Sequence, residues 1–90
     1  MKKDKEIIMI SAASEALKYK NANPKMNSER IIQHVMSFFN LAIDLKISAI
    51  AAVNESIKIK EKNPNFTDRQ VLQELMNNIE KVLMQIQKSR

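Results

Sequence analysis

Apolar residues recur three or four positions apart along most of the chain, which is the spacing of one face of an α-helix. Two such stretches begin at Ile7 and Ile47, and each is followed by another, which begins at Ile31 or Val71. The chain contains no glycine, the residue that tight β-hairpins favour at their turns. The pattern therefore predicts an all-α protein.

The sequence repeats itself at an offset of forty residues. When residues 4–40 are aligned with residues 44–80, 11 of the 37 positions are identical, which is several-fold above chance. The identities include the Asn-Pro pairs at 23–24 and 63–64. We interpret the repeat as a tandem duplication within one domain, residues 1–90, in which each unit forms a helix, a loop and a second helix.

The Asn-Pro pairs predict the end of the first helix of each unit, because a residue before proline is disfavoured in the α-helical region. Just after the second pair, Thr67 and Gln70 have the spacing of a capping box, in which each side chain accepts a hydrogen bond from the other's backbone N–H. Asn27 is the corresponding N-cap in the first unit. Met26 and Phe66 precede these caps, where a hydrophobic staple is expected.

The connection between the two units is ambiguous in the sequence. Residues 28–62 contain neither glycine nor proline, so two helices could merge into one long central helix and give a three-helix bundle. A turn near residues 40–44, with Asp44 as the N-cap, would instead give four helices. We favour the four-helix bundle, arranged as two αα-hairpins about a pseudo-two-fold axis.

Composition excludes several classes of site. The chain has no cysteine, which excludes disulfides, thiolate metal sites and thiol nucleophiles. Without glycine it cannot form a P-loop, a dinucleotide-binding fingerprint or a GxSxG elbow. His34, the single histidine, has no partner at metal-binding spacing and is expected to be solvated. We predict a protein that is not an enzyme and uses no cofactor, metal or small-molecule substrate.

Two glutamates are duplicated by the repeat. Glu15 and Glu55 each precede a lysine by three positions, Lys18 and Lys58. This spacing is typical of ion pairs on the surface of a helix. We therefore interpret the glutamates as surface residues and not as a pair that shares a proton or a cation.

Charge supports a nucleic-acid hypothesis. The formal net charge is +5, which favours acidic partners. Lysines cluster near the ends of the first helices, although cations there also complement the helix dipole. Arginine and glutamine side chains, which can contact base edges, mark the start of each second helix, as in helix-turn-helix proteins. The candidate nucleic-acid contacts are Lys18, Lys20, Lys58, Lys60, Lys62, Arg30, Gln33, Arg69, Gln70 and Gln73.

Apolar residues crowd the joint between the two units more than one solvated helix requires. The chain also contains six methionines, and interfaces are enriched in methionine and aromatic residues. Our leading hypothesis is a small helical interaction protein that forms a homodimer and docks a protein partner through a helix face; nucleic-acid binding is the alternative. The predicted interface residues are Phe38, Phe39, Leu41, Ile43 and Leu45.

The location of the protein is predicted from its apolar segments. No uninterrupted run of about 18 apolar residues occurs, so no transmembrane helix is expected. The apolar run 7–10 is short for a signal peptide, and Asp4 and Glu6 interrupt the basic segment before it. The sequence therefore predicts a cytoplasmic protein.

Overall fold

The computed structural model describes residues 2–88, with the side chains of residues 4–84 and 86; the ends of the predicted domain, residues 1, 89 and 90, lie outside this part. No strand occurs among the described residues, and the helices pack into a bundle with a Cα radius of gyration of 12.1 Å. The all-α prediction is confirmed. The helices are α1 (Lys2–Ala22), α2 (Ser28–Phe38), α3 (Ile43–Lys62) and α4 (Asp68–Lys88).

Helices α2 and α3 are separate, so the alternative of one long central helix is wrong. Residues 39–42 join them in a non-helical segment. Phe39 leaves the helical conformation, with φ −115° and ψ 124°. Both Phe39 and Leu41 pack against the core. Burial of these two apolar side chains therefore accompanies the break between the helices.

The predicted N-cap of α3 is also wrong. The N-cap is Ala42, with φ −63° and ψ 158°, and its side chain makes no capping hydrogen bond. Asp44 lies in the first turn of the helix instead. A carboxylate at this position still stabilises the helix, because it complements the positive end of the helix dipole.

The loops that follow α1 and α3 are closed by the same hydrogen bonds. Asn23 Nδ2 donates to the Tyr19 carbonyl over 3.1 Å, and Asn63 Nδ2 donates to the Ile59 carbonyl over 3.0 Å. Each of these carbonyls also accepts the backbone N–H of the same asparagine, so the side chain adds a second hydrogen bond where the helix ends. The Asn-Pro pairs thus end the two helices where the sequence predicts.

The starts of α2 and α4 are capped as predicted. The backbone N–H of Arg30 donates to Asn27 Oδ1 over 2.9 Å. In the second unit, the Thr67 N–H donates to Gln70 Oε1 over 2.8 Å, and the Gln70 N–H donates to Thr67 Oγ1 over 3.2 Å. These two reciprocal bonds are the capping box.

Helices α1 and α3 form the centre of the bundle. α2 and α4 pack on them from different sides and, within the described residues, make no contact with each other. Two core clusters result, one shared with α4 and one shared with α2. The α4-side cluster contains Met9, Ala13, Leu17, Ala52, Ile59, Val71, Leu75, Ile79 and Val82, and the α2-side cluster contains Ala12, Ala16, Ile31, Val35, Ala49, Val53 and Ile57.

The contact between α1 and α3 is built from small side chains. Ala12, Ala13 and Ala16 of α1 and Ala49 and Ala52 of α3 are all completely buried. The distance between two packed helices depends on the side chains at their contact. Alanine at these positions therefore allows the two helix axes to approach closely, and leaves room for α2 and α4 on either side.

Two serines of α3 are buried beside these alanines. Ser56 Oγ donates to the Val53 carbonyl over 2.7 Å, and Ser48 Oγ donates to the Asp44 carbonyl over 3.3 Å. Each hydroxyl uses a carbonyl of its own helix, so its burial leaves no polar group without a partner.

Each predicted unit depends on the other for its core. Met9 and Leu17 of the first unit lie in the α4-side cluster. Ala49 and Ile57, forty positions later, lie in the α2-side cluster. Neither unit buries its apolar residues alone, as is usual for structural repeats. That the two halves arose by duplication remains a prediction from the sequence.

Ile7 and Ile47 are not part of the core, although the sequence places them in its apolar stripes. They are 56% and 39% exposed. Residues two positions apart on a helix lie about 160° apart around its axis. Because Met9 and Ala49 face the core, Ile7 and Ile47 point away from it.

The small residues at the α1–α3 contact give a direct test of this packing. We expect Ala16→Leu to lower the free energy of unfolding by about 1–3 kcal/mol, because the larger side chain overpacks a closed contact. The measurement is urea denaturation followed by circular dichroism. Ala22→Leu, at the exposed end of α1, should change stability by no more than about 0.5 kcal/mol. Equal effects of the two substitutions would contradict close packing at residue 16.

Candidate functional site

His34 packs between α1 and α2 instead of pointing into solvent. Its Nε2 lies 3.2 Å from Glu15 Oε2, and its ring stacks on Tyr19 with centroids 3.8 Å apart and planes at 5°. The Phe38 ring lies a further 5.5 Å away, tilted by 56°. The expectation of a solvated histidine is therefore wrong. The partner of Glu15 is this imidazole and not Lys18, the expected surface partner.

At the positions forty residues later, an open cleft takes the place of the rings. The structure has a cavity of about 420 Å³ between α3 and α4, which we call the polar cleft. Its position corresponds to that of the ring stack, because Ile59, Glu74 and Asn78 align with the three ring residues of the first unit at an offset of forty. These three residues line the polar cleft together with Glu55, Lys58, Lys62, Asn63 and Phe66.

The polar cleft carries charges of both signs. Glu55 on α3 and Glu74 on α4 contribute carboxylates, and Lys58 and Lys62 contribute amines one turn apart on α3. Within the part of the chain that the structure describes, no hydrogen bond or ion pair engages either carboxylate. In the first unit, by contrast, Glu15 faces a base. Both carboxylates of the polar cleft can therefore accept hydrogen bonds from a ligand.

A second depression adjoins the polar cleft. It has a volume of about 310 Å³, and Phe66 and Glu74 line both cavities. Arg69, Gln70 and Gln73 complete its lining. The structure therefore brings together five of the ten predicted nucleic-acid contacts: Lys58, Lys62, Arg69, Gln70 and Gln73.

The other predicted cations are placed differently. Lys60 is partly buried, and its Nζ donates to the carbonyl of Phe66, so it fixes the loop between α3 and α4. Lys20 is partly buried in the last turn of α1, where it complements the helix dipole. Lys18, Arg30 and Gln33 are exposed on the first unit.

The joint between α2 and α3 carries the largest exposed apolar side chains of the predicted interface. Phe38 and Ile43 are 63% and 74% exposed. Ile47 lies one turn after Ile43 on α3 and is also exposed, and we call these three residues the joint patch. The other predicted interface residues are less accessible. Phe39 and Leu41 pack against the α2-side cluster, and Leu45 is partly exposed.

An apolar groove between α1 and α4 was not foreseen from the sequence. Its volume is about 440 Å³, and Ile7, Ile10, Met76 and Ile79 form most of its lining, with Glu6 and Ser11 beside them. An apolar stripe begins at Ile7 and predicts its burial, yet both Ile7 and Met76 are at least half exposed. The sequence carries no signal for the groove, because Ile7 lies away from the core only once the contact with α3 makes the alanines the buried face of α1.

Comparison with known proteins found no relative of this chain. The chain matches no protein-family model, and searches of curated proteins and of solved structures found no match. Among the described residues, none of the helices has both the length and the apolar character that crossing a membrane requires, and no three acidic or histidine side chains are grouped to hold a metal ion. The function is therefore inferred from the surfaces described above.

The ring stack can be tested by a double-mutant cycle. We expect Tyr19→Ala and His34→Ala to show a coupling free energy of about 0.5–1.5 kcal/mol, because stacked aromatic pairs contribute this much beyond the area they bury. Urea denaturation of the two single variants and the double variant gives the value. The matched cycle, Ile59→Ala with Glu74→Ala, has no ring pair and should show a smaller coupling. Equal coupling in both cycles would contradict a stabilising stack.

Proposed function

We propose that this chain is a small non-enzymatic interaction protein of the cytoplasm, which self-associates through the joint patch and docks a protein partner through a helix surface. One observation carries the proposal. Phe38 and Ile43 are more exposed than buried, although they flank a loop whose own apolar residues reach the core. Exposed apolar patches of this kind are typical of interaction sites.

Ring contacts hold Phe38 of the joint patch in position, and its loop is anchored in the core. The Phe38 ring packs against the His34 ring at 5.5 Å and against the Phe39 ring at 6.4 Å. Phe39 and Leu41 anchor the loop in the core. A surface that is already ordered loses less conformational entropy on association than a mobile one, so its burial contributes more to affinity.

The surroundings of the joint patch favour a second copy of the chain as the occupant. Asp44 and Lys46 lie within the first turn of α3, between Ile43 and Ile47. In a two-fold dimer the same surface meets itself, so a residue can contact a different residue of its copy. Asp44 of one copy can then pair with Lys46 of the other around an apolar centre.

The expected affinity is moderate. Complete burial of an exposed Phe or Ile side chain contributes about 1.5–3 kcal/mol, and a two-fold contact buries each residue of the patch twice. Association itself costs about 4–15 kcal/mol in lost translational and rotational freedom. Because these two contributions largely cancel, we expect a dissociation constant that is micromolar or weaker.

Self-association can be measured by sedimentation velocity over a wide range of protein concentration. We expect the wild-type chain to shift from monomer to dimer as concentration rises. Phe38→Ala with Ile43→Ala should raise the dissociation constant at least about ten-fold, because both side chains lie at the centre of the proposed contact.

The matched control removes exposed apolar side chains elsewhere. Ile7→Ala with Met76→Ala alters the groove between α1 and α4 and should leave the dimer intact. Circular dichroism checks that both double variants remain folded. A wild-type chain that stays monomeric at the highest concentration would refute self-association, and an unchanged dimer in the Phe38 and Ile43 variant would refute this surface.

Nucleic-acid binding is the second candidate. It is supported by the net charge of +5 and by the exposure of Lys18, Lys58 and Lys62. However, Glu55 and Glu74 lie among the cations of the second unit. Carboxylates beside the lysines lower the positive potential that attracts phosphate. We therefore rank this function second.

A further inference from the structure

We propose that the polar cleft binds a peptide segment of a partner protein that inserts an arginine side chain between Glu55 and Glu74. The inference goes beyond self-association, because the polar cleft and the joint patch are different surfaces. It rests on the shape of the cleft, on the two carboxylates that line it without a partner, and on the ring and amide groups around them.

In the first unit, the corresponding surface has a carboxylate that already has a partner. There, Glu15 faces the His34 imidazole at 3.2 Å, and Tyr19 and Phe38 fill the space beside it. In the second unit, the position of the histidine is taken by Glu74. The second unit therefore has two acids where the first has an acid and an imidazole, and a ligand can supply a cationic group to both carboxylates.

Arginine fits the polar cleft better than other cations. Its planar guanidinium has five N–H donors and can engage two carboxylates at once, whereas lysine is a point charge. Phe66 and Ile59 also line the cleft. The aliphatic stem of arginine can pack on these apolar surfaces, and its guanidinium can stack on the aromatic ring.

The surrounding groups favour a peptide over a nucleic acid. Asn78 in the polar cleft and Gln73 in the adjoining depression carry amide side chains, which both donate and accept hydrogen bonds, as a peptide backbone requires. Lys58 and Lys62 at the same cleft can pair with an acidic residue next to the arginine. A polyanion would instead meet the carboxylates of Glu55 and Glu74.

The experiment lets the protein select its ligand. A phage-displayed library of random peptides is selected on the full-length chain, and the best peptide is synthesised, labelled and measured by fluorescence anisotropy. We expect the selected peptides to share an arginine. Citrulline in place of this arginine removes its positive charge, and Glu74→Gln in the protein removes a negative charge. Either change should weaken binding at least about ten-fold, because a charge-assisted hydrogen bond loses one of its two charges.

Matched controls distinguish binding in the polar cleft from a general effect of charge. Glu61→Gln removes an exposed carboxylate of α3 that does not line the polar cleft, and should leave peptide binding unchanged. Phe38→Ala with Ile43→Ala should also leave it unchanged, so failure of the proposed dimer and failure of this site can be told apart.

Three results would overturn the proposal. They are the selection of no peptide, the selection of peptides without a common arginine, and full binding by the Glu74→Gln variant. Anisotropy with a labelled mixed-sequence DNA duplex at low and high salt tests the competing ligand. Tight, salt-sensitive duplex binding that is lost on Lys58→Ala with Lys62→Ala would assign this surface to nucleic acid instead.

Discussion

The close contact between α1 and α3 is the constraint on which the rest of the structure depends. Both core clusters draw residues from these two helices, while α2 and α4 contribute to one cluster each. Ala12 and Ala16 of α1 and Ala49 and Ala52 of α3 keep the central pair close. Since α2 and α4 do not touch each other within the described residues, any separation of α1 from α3 would open both clusters together.

The two outer surfaces show how one backbone arrangement supports different chemistry. Asn23 and Asn63 close equivalent loops with equivalent hydrogen bonds, so the backbone near both surfaces is set in the same way. The difference lies in the side chains that face inward. His34 pairs with an acid and fills its surface with a ring stack, whereas Glu74 leaves a cavity and a second negative charge. Five of the eight residues that line the polar cleft differ from their counterparts forty positions earlier, and these changes separate a structural contact from a candidate binding site.

Local signals in the sequence predicted the backbone better than the surfaces. Helix ends and caps, such as Thr67 with Gln70, depend on neighbours in the chain, and their spacing is visible in the sequence. The partners of His34 could not be predicted in this way, because Glu15 lies nineteen positions earlier on another helix. Ile7 was misplaced for a related reason. The contact with α3 determines which face of α1 is buried. The apolar periodicity of α1 alone does not show which face that is.

The two proposed surfaces lie at opposite ends of α3. The joint patch includes Ile43 at the start of this helix, and the polar cleft includes Lys58 near its end. At a rise of about 1.5 Å per residue, some fifteen residues separate the two by about 22 Å along the axis. Both can therefore be occupied together. A dimer formed through the joint patch would present two polar clefts, and two linked sites bind a partner with repeated arginine segments far more tightly than one site does. Self-association would then increase partner affinity without any change in the cleft itself.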